Sequence, residues 1–131
     1  MVTITPSPKN FEQQYKTLFN HLNDGIILHD PLGNILDINL KAIQLLGYSH
    51  EEATQLTVQQ LHPQEAIAAC KAAFQIVMEE GEISFETLFC HRNGTPFPAE
   101  VSAKRLQIND KFLIQGIIRD LTERKLAERT L

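Results

Sequence analysis

The sequence predicts an α+β domain: a five-stranded antiparallel sheet with helices on one face and a flanking helix at each end. Three observations carry this reading. Strand-like segments fall into two groups, separated by a helical block over residues 40–80. The connections within the second group are tight turns, Asn93-Gly94 and Asn109-Asp110, which suit antiparallel hairpins. The two ends, residues 10–22 and 121–131, carry helix signals of their own.

Residues 10–22 place Phe11, Tyr15, Leu18, Phe19 and Leu22 on one helix face, with Asn10 as N-cap and Gln13 three residues on. A stripe this aromatic needs a surface to cover. Residues 25–30 form a short apolar run, Pro31, Gly33 and Asn34 supply a turn, and residues 35–39 alternate with period two. Together they read as a hairpin. A helix over 40–46 follows, capped by Asn39 and stopped at Gly47. Ser49 with Glu52, and Thr57 with Gln60, are capping boxes for two short helices. Pro63 opens a longer helix that carries Ile67, Cys70, Phe74 and Val77 on one face and ends at Gly81. Strands are expected over 83–92, 97–106 and 111–119, the last apolar on both faces as a central strand should be. Asp120 or Thr122 caps a final helix. A helix of about ten residues has little stability alone, so the natural protein is expected to continue past Leu131.

Bulk properties narrow the function. The chain has 131 residues, which suits one core, with 43% hydrophobic and 21% charged residues. Its net charge is −4 and it has no basic stripe, which argues against nucleic acid as a partner. It shows no signal peptide and no run near the roughly 20 apolar residues of a membrane span. Its two cysteines, Cys70 and Cys90, read as reduced thiols of a cytoplasmic chain. Ser49, Ser84 and Ser102 have no accompanying His and acid pattern, and no glycine-rich phosphate loop is present, so the chain is not read as an enzyme.

The string GIILHDPLGNILDINLKAIQLLGYSHEE, then LHPQE, RNGTPFPAEVSA and GIIRDLTERK, resembles the PAS domain family in order and spacing. The resemblance covers about residues 11–125. It implies a sheet of order 2-1-5-4-3 and a sensory or dimerising role in a larger signalling protein, of the kind found in histidine kinases and cyclic-dinucleotide enzymes. It divides the chain into a flexible lead-in (1–9), an amphipathic helix (10–22), a core (23–120) and the start of a signalling helix (121–131).

The resemblance also frames the cofactor question. Flavin-binding members use a cysteine where this chain has Val58, and amides where it has Phe89, Ala99 and Ile118. None of the four can serve, so flavin is disfavoured. Haem needs an axial ligand, and the long helix, where haem-binding members carry their histidine, has none over 64–80. Haem is disfavoured but kept as the alternative, a gas or redox sensor. His62 is read as a residue leading into the helix. The candidate cavity residues are His29, Ile67, Cys70, Phe74, Phe85, Phe89, Ala99, Ile114 and Ile118, with His29 the polar handle. Two states stay open: a cavity filled by its own side chains, or one that holds a small apolar ligand. No metal site is expected.

On the other sheet face, Leu88 and Cys90 with Leu113 and Ile117 form an apolar patch. The stripe of Phe11, Tyr15, Leu18, Phe19 and Leu22 is expected to cover it, within one chain or across a homodimer. Asp120 and Thr122 form the signal exit toward a downstream output domain. The expected function is a relay of signal through the C-terminal helix.

Overall fold

The computed structural model describes residues 8–130. Helix α1 (Pro8–His21) leads into strands β1 (Gly25–His29) and β2 (Ile35–Ile38), followed by helices α2 (Leu40–Leu46) and α3 (His50–Ala53). Two 3-10 turns (Val58–Leu61 and Gln64–Ala66) precede helix α4 (Ile67–Glu80). Strands β3 (Glu82–Cys90), β4 (Pro96–Ile108) and β5 (Lys111–Asp120) and helix α5 (Thr122–Thr130) complete the chain. The five strands form one sheet of order β2-β1-β5-β4-β3, antiparallel throughout.

Local chemistry sets most of these boundaries. The first hairpin closes on Asp30, whose Oδ1 accepts from Leu32 N and Asn34 N (both 2.9 Å) while Oδ2 accepts from Asn34 Nδ2 (3.0 Å). Slight burial would raise this carboxyl, but the bonds from Asn34 and Leu32 win and hold it below the usual carboxylate range. Ser49 Oγ accepts from Glu52 N, and Glu52 Oε1 accepts from Ser49 N, both at 3.1 Å, a reciprocal cap for α3. Asn109 and Asp110 both adopt positive φ (50° and 66°), the geometry a two-residue hairpin turn needs.

Two boundaries differ from the sequence reading. Helix α1 begins at Pro8, upstream of Asn10; proline is preorganised for a first helical position. Pro63 does not open α4. It precedes the Gln64–Ala66 turn, and the α-helix itself starts at Ile67.

The core lies between the sheet and the arm formed by α2 to α4. Ile27, Ile38, Leu46, Leu61, Val77, Phe89, Ile114 and Ile118 are among its buried members. Gly47 ends α2 as its left-handed C-cap. Its φ is +81°, and a Cβ there would fall 2.4 Å from the His91 ring. Beside it, Arg92 N donates to Leu46 O (2.8 Å) and joins the β3–β4 hairpin to α2. Gly47→Ala is therefore expected to cost about 2–4 kcal/mol, from left-handed strain and displacement of His91. Urea denaturation of Gly47→Ala, with and without His91→Ala, would separate the two causes. If His91→Ala relieved none of the loss, the ring overlap would contribute nothing.

Candidate functional site

Along β3, β4 and β5 the period-two alternation sends Ile83, Phe85 and Phe89, then Val101 and Ala103, then Ile114, Gly116 and Ile118 to the helical side. Ile27 and His29 of β1 join them. Across from this wall α4 presents Cys70, Ala73, Phe74 and Val77, spaced three and four residues apart along one helix face. Val58, Leu61 and His62 close one end. These residues line a partly open cavity of about 70 Å³. One water needs about 10–15 Å³ on this measure, so the space exceeds a packing defect.

The structure brings His29, Cys70, Phe74, Phe85, Phe89, Ile114 and Ile118 together in this lining. Ile67 and Ala99 lie outside it. Ile67 is the first residue of α4 and is only half-buried. Ala99 is fully buried, but it pairs with Asp120 at the end of the sheet, past the cavity.

Of the lining residues outside the candidate set read from the sequence, His62 is the one with a polar side chain. The residue before a proline is pushed to extended backbone, and His62 has φ −113° and ψ 147°. That conformation turns its ring into the cavity wall, against Phe89 at a centroid distance of 4.4 Å. Its Nδ1 lies 2.8 Å from Leu88 O. His29 is similar: Nδ1 lies 2.9 Å from Asp30 O, and the ring stacks on Phe74 at 5.7 Å. The two rings are 7% and 9% exposed (His29 and His62).

Burial lowers the pKa of both imidazoles. The bond to Asp30 O and the Asp30 charge oppose this at His29, as the bond to Leu88 O does at His62. Burial likewise raises the Cys70 thiol, so it stays protonated at neutral pH. The consequence for stability has a definite sign. Unfolding frees each imidazole to titrate near 6.5, above its folded value. Below that pH the unfolded chain binds more protons, so stability is complete above about 6.5 and is lost as pH falls. Urea midpoints at pH 7.5 and 5.5 should drop for the wild type and drop less for His29→Leu/His62→Leu. Equal drops would refute the assignment.

The signal-exit residues follow just beyond the cavity: Asp120 ends β5 and Thr122 begins α5. Asp120 Oδ1 accepts from Thr122 N at 2.9 Å and from Thr122 Oγ1. Between them Leu121 is buried, and its N–H donates to Pro98 O at 2.9 Å. Lys125 of α5 pairs with Glu86 on the outward side of β3 at 3.3 Å. Arg119 pairs with Asp24 at 3.3 Å, which puts the end of β5 beside the link from α1 to β1.

The outer face differs from expectation. Tyr15, Leu18, Phe19 and Leu22 meet Ile26, Leu28, Leu106, Ile108 and Leu113 of β1, β4 and β5. Leu88 is not part of this groove; it lies on β3, paired with Pro98. Phe19 is buried (7% exposed) and stacks on Tyr15 at 5.4 Å, whereas Leu18 is 69% exposed. Tyr15 and Leu22 are also exposed. The Phe11 side chain lies outside the described residues.

A sheet of this order that closes a small cavity against a helical arm, and continues directly into an exit helix, defines a class of sensory modules. The chain belongs to the PAS domain family, whose model matches residues 23–123. It is 34% identical over 121 residues to the methyl sulfide methyltransferase-associated sensor of Methanosarcina acetivorans, covering 92% of this chain and 12% of that protein. It is 28% identical over 124 residues to the sensor histidine kinase TmoS of Ectopseudomonas mendocina, covering 92% of this chain and 13% of that kinase. The chain thus spans about an eighth of the length of these relatives. The crystal structure of a PAS domain from Colwellia psychrerythraea superposes with a TM-score of 0.79 at 26% identity, covering 87% of this chain and 99% of that one. This is a PAS sensor domain homologous to domains of sensor histidine kinases. No helix among the described residues is long and apolar enough to cross a membrane.

Proposed function

We propose that this domain senses a small apolar molecule in its cavity and passes the change through α5 to an output domain, a histidine kinase in the manner of its relatives. One observation carries the reading: the cavity wall and the exit are the same strand. Ile114, Gly116 and Ile118 face the cavity. Asp120, two residues on, accepts from the N–H of Thr122, the first residue of α5. An occupant that shifts β5 displaces this bond and changes how α5 leaves the sheet. The volume of about 70 Å³ is too small for flavin or a haem macrocycle and about half that of an apolar cavity that takes up benzene (~150 Å³), so an occupant is no larger than a single ring and a ring enters only as the wall gives.

The test is hydrogen exchange with the cavity occupied by a small aromatic probe such as toluene. Amides of residues 121–130 should change protection along with those of β5. Occupancy that alters β5 and leaves α5 unchanged would overturn the relay.

We propose that a two-fold dimer through the α1 face belongs to the same role. Because Phe19 is buried within its own chain, the surface is tested through Leu18 and Leu22. Leu18→Glu/Leu22→Glu should be folded and monomeric by sedimentation. A dimer that survives both charges would exclude this face.

A further inference from the structure

The geometry points to a ligand that is neutral, no larger than a single ring, and carries one hydrogen-bond donor such as a phenolic hydroxyl, held at the Nε2 atom of His29 or His62. This rests on the proposed reading of the cavity as a ligand site. Three side chains with polar atoms line the cavity: His29, His62 and the Cys70 thiol. Each imidazole has its Nδ1 on a backbone carbonyl, Asp30 O or Leu88 O. A carbonyl only accepts, so the proton of each ring sits on Nδ1. A neutral ring then has only a lone pair at Nε2. Burial, which lowers both imidazoles, keeps them in that neutral form near pH 7.5.

The Nε2 atoms make no hydrogen bond within the protein among the described residues, yet no buried side-chain nitrogen or oxygen there lacks a partner. Both Nε2 atoms therefore border open space, and the space their rings border is the cavity. Two strong acceptors in a wall whose other polar group is a weakly polar thiol select for a donor. A carboxylate would set its lone pairs against theirs and lose its hydration. A hydrocarbon would fit but leave the acceptors unmatched.

The discriminating probes are phenol, toluene and benzoate, titrated into the wild-type domain at pH 7.5. Affinity is read by calorimetry, and ring nitrogens by long-range ¹H–¹⁵N spectra. An apolar cavity without an acceptor would favour toluene by roughly tenfold or more, because the phenol hydroxyl would be left unpaired. We expect phenol to bind at least as tightly as toluene, benzoate not to bind, and phenol alone to shift an Nε2 resonance of a ring protonated at Nδ1. Toluene favoured tenfold, benzoate favoured, or Nε2 resonances unmoved by bound phenol would overturn the inference and leave the cavity reading standing. Failure of all three probes to bind would overturn both.

Discussion

Asn39→Ala is expected to destabilise the domain by about 3–5 kcal/mol. Asn39 is fully buried (0% exposed) and uses its whole amide. Its Oδ1 accepts from Ile26 N (2.8 Å) and Ala42 N (3.0 Å), and its Nδ2 donates to Phe19 O (2.9 Å) and Asp24 O (3.0 Å). One side chain thereby joins α1, the link after it, β1 and the start of α2. Loss of the cap on α2 costs about 1 kcal/mol. The rest comes from stranding the remaining partners, since a buried group left unpaired costs about 1–3 kcal/mol. A domain of this size has a total stability of about 5–15 kcal/mol, so the variant should still fold, with a much lower urea midpoint. Asn39→Asp keeps the acceptor but loses both donors. It should release α1 preferentially, seen as faster amide exchange over residues 12–21. A loss below about 1 kcal/mol for the alanine variant would show that the four bonds are not a structural joint.

One of the four bonds of this joint, the local cap, was readable in the sequence. An asparagine before an apolar helical run predicts a cap, and Asn39 caps α2 as expected. Its bonds to Phe19 O, Asp24 O and Ile26 N reach 20, 15 and 13 residues back, and no local pattern encodes them. The cavity divides the same way. Phe85, Phe89, Ile114 and Ile118 follow from strand alternation, which is a local property. Ile67 has the right helical spacing, but the cavity ends before the first residue of α4. His62 escaped because its role depends on a backbone direction set by Pro63 and on an acceptor, Leu88 O, that is 26 residues away. On α1 the apolar spacing identified the stripe and the sheet face it lies on, Leu113 included, but not its other sheet partners or which of its side chains is buried. Only contact with the sheet distinguishes buried Phe19 from exposed Leu18.

The Phe89 ring separates a filled core from a usable cavity. It is 4% exposed, with His62 on one side at 4.4 Å and Phe97 on the other at 5.9 Å. Phe89→Ala should cost about 3–5 kcal/mol, the usual range when a buried aromatic is removed and its neighbours relax only in part. The vacated volume adjoins the existing space of about 70 Å³, so the void should merge with it. A merged cavity gives an apolar probe more contacts than the wild-type space does. Toluene present at a hundred times its dissociation constant would then restore about 2.7 kcal/mol. Urea midpoints of wild type and variant, with and without toluene, measure both effects. Should Phe89→Ala fail to fold, Phe89→Leu removes less volume and keeps the comparison available. Destabilisation without rescue would mean that His62 and Phe97 close over the vacancy, and that this end of the cavity is core rather than ligand space. Destabilisation with rescue would show that the wall stands without the ring, as a site that loads and empties requires.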